Sequence, residues 1–79
     1  MEIKAKEKKK HTWVNDEIEI DFRVPYYIQQ IIDKCEEYDL QANPLYFEWS
    51  EALENLTKDL MYDQILSVAQ REILLKRYP

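Results

Sequence analysis

A chain of 79 residues, 46% apolar and 13% aromatic with a net charge of −5, is one small folding unit rather than a disordered polymer. Its single cysteine, Cys35, excludes an internal disulfide and fits a reducing, cytoplasmic setting; no stretch approaches the ~18 apolar residues of a membrane span, and the opening Met-Glu-Ile-Lys-Ala-Lys lacks the apolar run of a secretion signal. The charge is unevenly laid out, with five lysines against Glu2 and Glu7 in residues 1–10 and thirteen acids against Arg23, Lys34 and Lys58 in residues 16–63, so an acidic body disfavours broad contact with phosphate backbones.

The reading is of a single domain over 1–79, with residues 1–7 as a flexible basic arm. Glycine is absent, so turns must be made by Asn, Asp and Pro. Asn15-Asp16 tolerates the left-handed backbone of a two-residue hairpin turn, and Glu17 to Phe22 alternates acid with apolar residue. Together they predict a β-hairpin over about 8–14 and 17–23. Trp13, Ile18, Ile20 and Phe22 would face inward and Glu17, Glu19 and Asp21 outward.

Pro25 suits a first helical turn, and Tyr27, Ile28, Ile31, Ile32, Cys35 and Tyr38 fall within about 140° of a helical wheel, which predicts a helix over 25–39. Asp39 would land on the apolar arc, which marks that helix as ending there. Asn43-Pro44 supplies a cap and a first turn for a second helix over 44–60, with Leu45, Trp49, Ala52, Leu53, Leu56 and Leu60 in one stripe. The stripe then flips near Met61-Tyr62-Asp63, so either a third helix runs over 63–77 with Asp63 as its candidate cap, or one long helix buries different faces at its two ends. That last segment is apolar nearly all round and needs more than one neighbour; Ile65, Leu66, Ile73 and Leu75 are therefore candidate self-association residues of a homodimer. The fold class is α+β, a hairpin packed on two to three helices.

Chemistry is sparsely represented. Phosphate-cradling loops need glycine, and a structural zinc site needs about four Cys or His ligands where this chain has His11 and Cys35, so no cofactor or metal is expected. Cys35 lies in the apolar stripe of its helix, where a thiol is an inert hydrophobe, and no catalytic residues are assigned. Tyr46 and Phe47 sit at or outside the stripe of the second helix and either pack against the hairpin or are candidate partner contacts, together with Glu17, Glu19 and Asp21.

The run from Ile18 to Leu60 is similar in outline to ribbon-helix-helix repressors: an alternating strand, Val24-Pro25 opening a helix, then Trp49-Ser50-Glu51-Ala52-Leu53 as the start of another. The resemblance implies a strand whose outward residues read the DNA major groove. Here the matching positions are Glu17, Glu19, Asp21 and Arg23, and three of the four repel phosphate. The leading expectation is thus a non-enzymatic cytoplasmic interaction or regulatory module that binds a protein partner. The alternative is a nucleic-acid-associated regulator working through a basic arm of Lys8, Lys9 and Lys10.

Overall fold

A computed structural model describes residues 11–79, which form three helices: α1 (Tyr26–Leu40), α2 (Leu45–Tyr62) and α3 (Val68–Arg77). α1 buries Ile28, Ile32, Cys35 and Asp39, a single stripe at helical spacing. Pro25 begins it as expected of a residue whose missing N–H lies where no intrahelical bond is made, and its carbonyl accepts from Ile28 and Gln29 at 3.0 Å. α2 folds back and packs along α1, and α3 packs on α2. Val14, Ile28, Ile32, Cys35, Tyr46, Leu53, Leu60, Leu66, Leu74 and Tyr78 make one continuous core.

Both inter-helix turns close in the same way without glycine. After α1, Asn43 N–H donates to Tyr38 O and Ala42 N–H to Asp39 O, both at 2.9 Å, with Ala42 at φ 52°. After α2, Ile65 N–H donates to Leu60 O at 2.8 Å and Gln64 N–H to Met61 O at 3.0 Å, with Gln64 at φ 64°. These are paired Schellman closures, in which a left-handed residue lets the chain turn back on the last carbonyls. The second one separates α2 from α3, so Asp63 is the C-cap of α2 rather than a cap for α3. α3 starts at Ser67, whose Oγ accepts from Gln70 N–H at 3.0 Å while Gln70 Oε1 accepts from Ser67 N–H at 3.1 Å, a capping box.

Among the described residues the expected β-hairpin is not seen and there is no strand, so the α+β class is corrected to all-helical. Residues 8–10 lie outside the described residues. For the rest the reason is physical, because the backbone donors that a ladder would use go elsewhere. Thr12, Trp13 and Val14 donate their N–H groups to the fully buried carboxylate of Asp39 at 2.8, 2.5 and 2.9 Å. Asn15 Oδ1 and O accept from Glu17 and Ile18 N–H, which makes an Asx turn rather than a hairpin turn. Without the strand, the ribbon that the repressor-like outline implied is missing too. No helix of the described residues is long and apolar enough to cross a membrane.

The buried stripe of α2 also differs from expectation. Tyr46, Leu53, Thr57 and Leu60 are buried, whereas Leu45 is exposed. The helix is turned towards Tyr46 because Trp13 stacks on that ring, with centroids 5.2 Å apart. Thr57 tolerates burial because its hydroxyl donates to Leu53 O at 2.7 Å and accepts from Arg71 Nε at 3.2 Å.

Candidate functional site

An open groove of about 930 Å³ runs between residues 19–25, the first turns of α1 and the end of the chain. Its apolar lining is Ile20, Phe22, Val24, Pro25, Tyr26 and Ile32; Glu19, Arg23 and Gln29 stand beside them, and Glu36, Arg77 and Tyr78 close one end. Tyr26 is placed there by Pro25, at the first position of α1, and is 75% exposed. Its hydroxyl accepts from Gln30 Nε2 at 3.0 Å, one turn along the helix.

The closed end is a polar network joining three parts of the chain. Tyr78 Oη donates to Glu36 Oε2 at 2.6 Å, and Arg77 Nε donates to Tyr78 Oη at 3.1 Å. Arg77 Nη1 donates to Ile18 O at 2.7 Å and Asn15 O at 3.3 Å, while Arg77 O accepts from Asn15 N–H at 2.8 Å. His11 Nδ1 pairs with Asp16 Oδ1 at 2.6 Å, and its Nε2 lies 3.8 Å from Glu36 Oε1. Burial pushes the Tyr78 phenol well up, Glu36 adding to the effect and Arg77 opposing it, so Tyr78 is a neutral donor. Burial of Arg77 works against its charge, but its bonds to Tyr78 and Glu36 outweigh that and hold it protonated. The groups satisfy one another, so the cluster fastens residues 11–18 to α1 and to the chain end rather than presenting an activated nucleophile.

Cys35 is no substitute for one. Its thiol is fully buried and pushed up to about 12, by burial first and then by the charges of Glu36 and Asp39, so almost no thiolate forms at neutral pH. Among the described residues, no group of three or more His, Cys, Asp or Glu side chains is arranged to hold a metal ion.

The residues singled out in the sequence are distributed as follows. Glu17, Glu19 and Asp21 are all exposed, and Glu19 lines the groove. Phe47 is 48% exposed and packs edge-on to both Trp13 and Tyr46, but Tyr46 itself is fully buried and belongs to the core, not to a contact face. Tyr46 Oη has no hydrogen-bond partner among the described residues; burial, then Cys35 and Asp39, raise its phenol. Of the self-association set, Ile65 is exposed, Ile73 and Leu75 are half-buried, and Leu66 is in the core. Lys8, Lys9 and Lys10 lie outside the described residues. Residues that the sequence reading missed are Asp39, Glu36, Arg77 and Tyr78. Only Asp39 carried a signal, as the one acid on an apolar arc.

Among the described residues the basic side chains are few, and two of them are bonded within the chain. Residues 11–79 hold six basic against fourteen acidic residues. Arg77 is engaged as described, and Arg71 donates to Thr57 Oγ1 and Glu54 O, both at 3.2 Å. Lys34 lies 3.5 Å from Glu37 on the surface. The exterior of the described residues is therefore dominated by carboxylates. Comparison of the chain with models of protein families, with curated proteins and with solved structures returned no match.

Proposed function

We propose that this chain is a non-enzymatic, cytoplasmic interaction module that binds a protein partner through the groove between residues 19–25 and α1. The observation that carries the reading is Tyr26, a large aromatic ring left 75% exposed on the lip of a groove lined by Ile20, Phe22, Val24 and Ile32. Exposed aromatics beside an apolar cleft are characteristic of protein contact sites. The acidic exterior favours a partner with a basic surface, by attraction at encounter and complementarity on contact. Nucleic acid fits less well, because residues 11–79 carry fourteen acids against six basic residues and two of those, Arg71 and Arg77, are already bonded within the chain.

Capture from the native host tests this. The intact chain and a Tyr26→Lys variant are used as bait, with folding of both checked by circular dichroism. A stoichiometric protein retained by the first and lost with the second is the expected result. Equal capture by both, or capture of nucleic acid alone, overturns the assignment.

A further inference from the structure

Residues 19–24 keep the signature of a β-strand without being in one. Burial alternates from Glu17 to Val24, exposed acid then half-buried apolar residue, with Arg23 taking the last outward place. A two-residue period is that of an extended chain. Yet among the described residues no hydrogen bond reaches the backbone of Glu19 through Val24, although the turn before it and the helix after it both carry backbone hydrogen bonds. The inward residues Ile20, Phe22 and Val24 line the groove, and Glu17, Glu19 and Asp21 meet no cation among the described residues. A row of N–H and C=O groups with no partner among the described residues, with one apolar and one charged face, is a template for a further strand.

We infer that residues 19–24 bind their protein partner by strand addition, taking an extended segment in which Lys or Arg alternates with apolar residues. This rests on the module reading above and specifies its binding mode. The partner's basic side chains stand across from Glu19 and Asp21, with Glu17 just before them, and its apolar ones enter the groove beside Ile20 and Phe22. A second copy is a poor occupant, since it brings the same row of acids to the same side of the pairing. Backbone pairing supplies affinity, and the acid row selects the sign of the partner's charge.

The test uses the full chain, isotope-labelled for NMR, and blocked synthetic peptides. The probe is Lys-Val-Lys-Ile-Lys-Val-Lys; its comparators are the same peptide N-methylated at alternate backbone positions, a block isomer of the same composition, and Glu-Val-Glu-Ile-Glu-Val-Glu. Expected are shifts and slowed amide exchange at Glu19–Val24 with the probe, and affinity weakened by about tenfold or more on N-methylation. A Glu19→Lys/Asp21→Lys double variant is expected to prefer the glutamate peptide; both positions are exposed, so the fold is retained. Equal binding of the N-methylated or block peptide, or no shift at residues 19–24, overturns strand addition. Any of these outcomes leaves Tyr26-dependent capture of a partner untouched, and that capture fails only if the groove takes no protein.

Discussion

Ala42 and Gln64 hold φ of 52° and 64° at the turns that end α1 and α2, in a backbone region that costs a residue with a Cβ about 1–2 kcal/mol. Both are exposed, so their side chains contribute little packing that would be lost. Replacing either by glycine removes the steric cost but loosens the unfolded chain by roughly 0.5–1 kcal/mol, leaving a net gain of about 0.5–1 kcal/mol at each site. The two turns flank the 18 residues of α2, about 27 Å apart on an ideal helix, so the gains are expected to add to about 1–2 kcal/mol. At roughly 4–8 °C per kcal/mol in a domain of this size, Ala42→Gly/Gln64→Gly should melt some 4–16 °C higher. Urea titration followed by circular dichroism is the assay, with a raised midpoint and an unchanged slope expected. Gln41→Gly is the control of opposite sign: Gln41 is exposed with φ of −86°, where glycine brings only the entropic loss and the midpoint must fall. If both left-handed positions lose stability on substitution by glycine, or Gln41→Gly gains it, the turn geometry and the reasoning drawn from it are refuted.

Tyr46→Phe is expected to leave stability unchanged or raise it, because the hydroxyl removed is buried without a partner among the described residues; calorimetry showing a loss above about 1 kcal/mol would mean that the hydroxyl is bonded after all. Asp39→Asn exchanges an acceptor of three backbone N–H groups for an amide that cannot serve all of them, and a destabilisation of at least about 2 kcal/mol is expected, with exchange protection lost first at Thr12, Trp13 and Val14. Cys35 has its folded pKa raised from 9.0 to about 12, so the stability tied to its neutral thiol is complete below pH 9 and falls as pH rises through 12. Iodoacetamide labelling at pH 8 is accordingly expected only on addition of urea; rapid labelling of the folded protein would contradict the burial of the thiol.

The helices were legible wherever one apolar stripe dominated, and least so at their ends. The spacing of Ile28, Ile32 and Cys35 marks α1 because a helix with a single neighbour buries a single stripe. The start of α3 was written as Ser67-Val68-Ala69-Gln70, a capping-box pattern, but the change of stripe drew attention to Asp63 instead. Alternation from Glu17 to Phe22 reports which side chains turn inward; it is silent on whether a ladder partner exists, and the N–H groups of Thr12 to Val14 were claimed by Asp39. That competition joins residues 25 or more apart in sequence, beyond any local pattern. The same holds for the closed end of the groove, where Glu36, Arg77 and Tyr78 meet only through the fold. Glu19 and the apolar residues beside it were readable as a two-faced segment, whereas the full burial of Tyr46 depends on the stacking of Trp13, a contact between distant parts of the chain.

The clasp between Asn15 and Arg77 spans 62 residues of sequence, so it also orders the folding of the chain. The α1–α2 pair closes over a four-residue connection and bears a small loop-closure entropy, whereas the clasp must fix nearly the whole chain before its bonds form. Residues 11–18 therefore come to rest late, after the helices that carry Asp39 and Glu36, and on a ribosome they wait until Arg77 has been made. Until then the face of Tyr46 on which Trp13 stacks stands open to water, and an apolar face left uncovered in this way exposes the growing chain to aggregation.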